Sequence, residues 1–318
     1  MREQVGRAAT ASQIGIAEPG ITTPEVPQPL VQERVLTTRQ LAWRRFKRHK
    51  LAIGSGILLL LLGLLVIVAP FISRYNFHEQ TFADALTGPS AKHFFGTDNL
   101  GRDQFVRVMY GGRISLLVGL AVALSAGAIG AVLGGIAGFY GGWLDNVLMR
   151  FTDLFLSIPF LVILIIGSKL LGGNVFNVIL LLTLFFWMYD ARIVRGVFLS
   201  LKEKEFVEAA RASGASDRRI IFYHIMPNAF GPIVVNVTLL VAQAIITESA
   251  LSFLGFGIQP PTPTWGNLLT NSQSFVYLAP WMVWFPGLMI LITVLAVNFL
   301  GDGLRDALDP HQRIGEAI

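Results

Sequence analysis

Leu51-Ala-Ile-Gly-Ser-Gly-Ile-Leu-Leu-Leu-Leu-Leu-Gly-Leu-Leu-Val-Ile-Val-Ala-Pro-Phe-Ile72 runs for about 22 residues without a charge. As a helix it is about 33 Å long, enough to cross the hydrocarbon core of a bilayer. It is too long for a signal-peptide core, and the 50 residues ahead of it are too many for an n-region. We read it as a membrane span. Composition agrees. The chain of 318 residues is 53% hydrophobic and 14% charged, with a mean hydropathy of +0.60. A soluble domain carries about a quarter charged residues.

Five more blocks follow: Ile114 to Tyr140, Leu144 to Ser168, Val175 to Gly196, Phe230 to Gly255 and Met282 to Gly301. The expected fold is an all-α integral membrane protein with six transmembrane helices over residues 51–302. Its external loops would be 73–112 and 257–281, with a cytoplasmic loop at 200–228. Lys and Arg set the orientation. Arg44, Arg45, Lys47, Arg48 and Lys50 precede the first span, and Lys202, Lys204, Arg211, Arg218 and Arg219 lie in the 200–228 loop. No charged residue occurs between Glu248 and Asp302. The positive-inside rule then puts both termini in the cytoplasm. The net charge of +5 is read the same way, as topology and not as a nucleic-acid partner. Residues 1–36, with Pro19, Pro24, Pro27 and Pro29, read as a disordered tail. Residues 37–50 read as a basic juxtamembrane segment, either an amphipathic helix or a plain cluster of stop charges. Residues 303–318 read as a cytoplasmic tail.

Within the spans, Gly130, Gly134 and Gly138 share a face with Ala126, a spacing that lets helix backbones approach closely. The packed partner is a helix of this chain or of another. Glu248 reads as the ionisable group at depth, with Asn236 and Gln243 on the same helix. A lipid-facing carboxylate costs too much, so Glu248 faces a translocation path or a donor near the outer mouth. Arg150 and Asp153, spaced i, i+3, are expected to neutralise each other. Pro159 is expected to kink its span. There is no cysteine, hence no disulfide or thiolate metal site. No catalytic or metal site is expected. The histidines, His49, His78, His93, His224 and His311, form no His-Glu-x-x-His pair. No Gly-Lys dipeptide occurs, so there is no Walker A loop.

The cytoplasmic loop reads Glu203-Lys-Glu-Phe-Val-Glu-Ala-Ala-Arg-Ala-Ser-Gly214, a helix-forming run closed by glycine. Ser216-Asp217 starts a second short helix, expected to stop at Pro227. The pair forms an elbow. In it, Glu205, Glu208, Ala209, Ala210, Gly214, His224 and Pro227 resemble the EAA loop of ATP-binding-cassette importer permeases. Phe95-Gly96-Thr97-Asp98-Asn99-Leu100-Gly101-Arg102-Asp103, Leu251 to Pro261 with Trp265-Gly266, Gly301 to Pro310, and Trp43-Arg-Arg-Phe46 are similar to the dipeptide/oligopeptide branch, over about residues 40–313. Phe256 stands where that branch often has leucine.

The resemblance implies a type I importer permease, the C-type member of a pair, in a bacterial or archaeal plasma membrane. It implies a second homologous permease as heterodimer partner, two ATPase subunits holding ATP and Mg, and an extracytoplasmic substrate-binding protein. The elbow would couple to the ATPase. Gly96, Thr97, Asp98, Gly101, Arg102, Asp103 and Trp265 would contact the binding protein. Peptides are the expected cargo, with nickel or oligosaccharides carried by other members of the branch. A secondary transporter is the rival class, but inverted repeats and several midplane charges are missing. An intramembrane hydrolase would need a paired constellation that the spans lack.

Overall fold

The computed structural model describes residues 38–308; the expected tail over 1–36, and Asp309 onward in the C-terminal tail, lie outside the described residues. The described part is almost wholly helical. A basic helix α1 (Thr38–Phe46) leads into the first span, α2 (Lys50–Ile72). His49 caps α2 by accepting from the Ala52 N–H at 3.1 Å. Pro70 removes the amide that would serve the Val66 carbonyl. Arg113 supplies the donor instead, through Nε at 2.8 Å.

The second span, α3 (Gln104–Tyr140), begins ahead of Ile114 and is 37 residues long. At 1.5 Å per residue it is about 55 Å, so part of it stands outside the hydrocarbon. Asp103 caps it, accepting from Val106 N at 3.0 Å. The next expected span is broken. α4 (Gly142–Leu156) and α5 (Phe160–Leu171) meet at 84°. Pro159 disfavours a helical Ile158 and offers no amide of its own, so the ladder stops where a kink was expected. Among the described residues, five helices are long and apolar enough to cross a membrane, or six if this bent pair is one span.

The fourth span, α6 (Val175–Lys202), settles what the small-residue stripe meets. A Cβ on Gly130 would run into the Asp190 carboxylate, and one on Gly134 into the Ala191 carbonyl. On Gly138 it would lie 2.7 Å from Phe198 Cβ. The stripe is the seat of α6 in the same chain. Around it, Val122, Ala126, Leu182, Phe186 and Ala191 form the main core.

Charges bolt α4 to α6. Arg195 grips Asp145 with Nε and with Nη2, the latter at 2.6 Å. Arg192 donates to Asp153. The expected Arg150–Asp153 pair is a weak 3.8 Å contact whose arginine is 86% exposed. The carboxylate prefers the cation across the helix interface, where its neighbour Thr152 also faces Arg192.

After α6 come α7 (Glu205–Ala212), α8 (Asp217–Arg219), a π-helical stretch (Ile220–Ile225) and α9 (Met226–Phe253). The helix expected to stop at Pro227 runs on. Residues Asp217–Phe253 are one continuous rod. Met226 N–H reaches back to the Ile221 carbonyl, five residues away. Where the ladder then returns to ordinary register, Pro227 has no N–H to leave unpaired, and the widened turn relieves its ring. The loop after α9 holds α10 (Trp265–Ser272), and α11 (Trp281–Leu308) closes the fold.

Candidate functional site

Three places carry the residues singled out in the sequence. The first is the elbow. Val207 and Ala210 of α7 are buried with Ile220, Ile225, Phe198 and Phe139. Glu205, Glu208 and Ala209 face solvent. Helical spacing thus splits α7 into an anchored face and a free one. Gly214 ends the helix at φ +77°, donating to the Arg211 carbonyl at 2.9 Å, while Ala215 N reaches Ala210 O at 3.0 Å. That closing geometry favours glycine. His224 is half-buried, and its carbonyl accepts from Asn228 Nδ2 at 2.7 Å. Pro227 is exposed beside it. Phe206, Phe222 and Tyr223 are exposed on the same lobe.

The second place is a cap built by the segment between α2 and α3. Gly96, Thr97, Asp98, Gly101 and Asp103 are buried, and Arg102 is half-buried. Asp98, 1% exposed, accepts from Leu100 N at 2.9 Å, Arg102 N at 3.0 Å, Arg102 Nε at 2.7 Å, and Arg107. Thr97 O accepts from Trp281 Nε1 at 3.0 Å. A Cβ on Gly101 would run into the Thr81 carbonyl. Trp265 is fully buried and donates from Nε1 to Val108 O at 3.0 Å. A motif expected to present side chains to a partner instead spends nearly all of them inward, because each carboxylate and each positive-φ glycine closes a turn. At the rim Lys92 bonds Asp84 at 2.6 Å. That hydrogen bond holds the Asp84 carboxyl below its ordinary range against some desolvation, and raises Lys92.

The third place is the interior. Glu248 is 0% exposed. Ser252 Oγ donates to Oε1 at 2.7 Å and itself accepts from Ile258 N at 3.2 Å. Ser115 Oγ donates to Oε2 at 3.4 Å and accepts from Trp265 N at 3.2 Å. Glu248 therefore ties the middle of the α9–α10 loop, at Ile258, to α9 and its far end, at Trp265, to α3. It does not join the cavity of 290 Å³ that Asn236 and Gln243 line with Asn298. Its contacts are those of a structural tie.

The family model described as binding-protein-dependent transport system inner membrane component matches residues 130–314. The chain belongs to this family. The N-terminal TM domain of oligopeptide transport permease C matches residues 37–89 of this inner membrane component. The chain is 41% identical over 290 residues to the dipeptide transport system permease protein DppC of Alkalihalophilus pseudofirmus, covering 91% of this chain and 95% of that one. It is 43% identical over 276 residues to the oligopeptide transport system permease protein OppC of Escherichia coli, covering 86% and 91%. It is 41% identical over 284 residues to the glutathione transport system permease protein GsiD of Pectobacterium atrosepticum, covering 89% and 94%. A solved MetNI methionine ABC transporter chain covers 61% of this chain and 94% of its own, at TM-score 0.48 and 21% identity. The chain is thus a multi-pass membrane component of a transport system.

In this inner membrane component, sequence reasoning missed Asp190. It is 1% exposed in the middle of α6. It accepts from Asn236 Nδ2, and its Oδ2 has no hydrogen-bond partner among the described residues. The signal was there. Asp190 is a carboxylate inside the expected span Val175 to Gly196, the same signal that singled out Glu248.

Proposed function

We propose that this chain is half of the translocation pore of an ATP-driven importer of di- or oligopeptides. A second homologous permease supplies the other half, two ATPase subunits bind ATP and Mg below the elbows, and an extracytoplasmic binding protein delivers the cargo. The observation that carries this reading is mechanical. The exposed elbow face sits on a rod, Asp217–Phe253, that continues without a break past Asn236 and Gln243 to Glu248. A push on Glu205, Glu208 and Ala209 is passed through Val207 and Ala210 to that rod, and so to the path and the α9–α10 loop. This is a two-state element biased by a ligand on the partner.

The path residues fit the cargo. Asn236, Gln243 and Asn298 offer neutral amides, which pair with a peptide backbone of any sequence and trap no charged side chain. Asp190 orients Asn236 by taking its Nδ2, which leaves the amide oxygen to face the cavity. The segment 96–103 serves the binding protein indirectly. Its buried residues hold the shape of the cap, and Asn99, Leu100 and Arg102 are the members that reach solvent.

The test is gentle purification of the complex from native membranes, followed by peptide uptake in proteoliposomes. Recovery of a second permease and ATPases, with ATP-dependent peptide uptake, supports the reading. A chain that purifies alone and shows no ATP-dependent uptake sinks it.

A further inference from the structure

The outer half of α2 borders a groove that neither the elbow, the path nor the cap explains. Its volume is 830 Å³. Leu61, Leu65, Val68 and Ile72 form one wall, and Phe94 and Phe105 the other. From Leu61 to Ile72 the groove runs about 16 Å along the helix. That is about half of a hydrocarbon core of ~30 Å, the depth of one leaflet. The apolar run ends at a polar rim of Ser73, Arg74, Tyr75 and Lys92. Lys92 is already paired with Asp84. Asp103, which also lines the groove, is bound to His93 at 2.8 Å. Arg74 is exposed and has no ion pair among the described residues. Ser73 Oγ accepts from Tyr75 N at 3.2 Å, so its O–H is left to donate.

We propose that this groove holds one phospholipid, with an acyl chain along α2 and its phosphodiester on Arg74. The charges match: a phosphodiester brings one negative charge, and Arg74 supplies the one cation at the rim not already neutralised among the described residues. The apolar depth matches one acyl chain. An apolar helix from a partner protein would fill the groove but bring nothing to Arg74. The inference rests on the orientation of the proposed importer, which places residues 73–103 outside and makes the lipid one of the outer leaflet.

The experiment uses the complete complex in nanodiscs of phosphatidylethanolamine and phosphatidylglycerol, transferred to mild detergent for native mass spectrometry. The wild type is expected to keep a phospholipid on this chain. Arg74→Glu is expected to cut retention roughly tenfold, the worth of one charge-assisted hydrogen bond, and Arg74→Lys to restore part of it. Val68→Trp, which fills the groove, is expected to abolish it. Should Val68→Trp fail to assemble, the exposed Arg74 pair decides. The chain has no cysteine, so Leu65→Cys gives it a unique thiol for a benzophenone probe. Equal retention in wild type and Arg74→Glu, or cross-linking from that thiol to the second permease in place of phospholipid, overturns the proposal. Peptide uptake on the same samples reads the importer separately: uptake without retained lipid refutes only the lipid site, and retained lipid without uptake refutes only the importer.

Discussion

At the scale of single residues, glycines separate packing from backbone freedom. Gly134→Ala drives a Cβ into the Ala191 carbonyl, and backbone cannot step aside as a side-chain tip can. Overpacking of this kind costs roughly 1–3 kcal/mol, and a lowered melting temperature of the purified complex is the expected result. Gly54 and Gly63 sit inside α2 and have nothing within 4 Å of an added methyl. Ala there is expected to leave the melting temperature unchanged or raise it, since Ala is favoured over Gly in a helix by about 1 kcal/mol. Glu248 is a second case. Glu248→Ala leaves the Ser115 and Ser252 hydroxyls without their acceptor, at roughly 1–3 kcal/mol for each buried group. Glu248→Gln keeps one amide oxygen and should lose less. If Glu248 fastens the α9–α10 loop, both variants lower thermal stability while the KM for peptide in the folded fraction stays put. A changed KM at unchanged stability would return Glu248 to the path. Nothing in the sequence could separate these readings. Ser115 lies 133 positions from Glu248 and 150 from Trp265, and only the fold brings the three together.

At the scale of elements, the elbow was largely legible and the interior was not. The apolar run Phe206, Val207, Ala209 and Ala210 is local, and so is the glycine that ends α7, although only Val207 and Ala210 of that run are buried. Local patterns survive in the sequence because neighbours along the chain remain neighbours in a helix. The 84° break at Pro159 is only half legible: the proline marks a weak point, but the ion pairs of α4 with Arg192 and Arg195 set where that helix lies. The burial of Asp98 and Asp103 was illegible, since a carboxylate in a loop looks solvated until its partners converge. Asp190 was lost for a related reason. One carboxylate barely alters the hydropathy of a long apolar span, and its partner Asn236 is 46 positions away. The elbow carries its own test. Glu208→Ala and Gly214→Val are expected to leave ATPase activity in place and to lower peptide uptake per ATP. Glu208 is on the free face, and Gly214 holds a positive φ that a β-branched residue resists. Uptake per ATP equal to wild type in both variants would end the coupling role.

At the scale of the whole molecule, the importer depends on which side of the bilayer each end occupies. We place the elbow in the cytoplasm on electrostatic grounds. Lys47, Arg48 and Lys50 flank the start of α2, and Lys202, Lys204, Arg211, Arg218 and Arg219 cluster around the elbow. The stretch from α10 into α11 has no charge until Asp302. Basic residues are retained on the cytoplasmic side, which supports the proposal that both clusters lie there and residues 73–103 opposite. The helices agree: α2 runs from the first cluster to Ile72, and α6 ends in the second at Lys202. Because the chain has no cysteine, single thiols read the topology directly. Gln80→Cys and Glu203→Cys both lie at exposed positions. A membrane-impermeant maleimide is expected to label Gln80→Cys in cells with a permeabilised outer envelope, and Glu203→Cys only in inverted vesicles. The reverse pattern would place the elbow where no ATP is available to drive it, and would move the groove beside α2 to the inner leaflet.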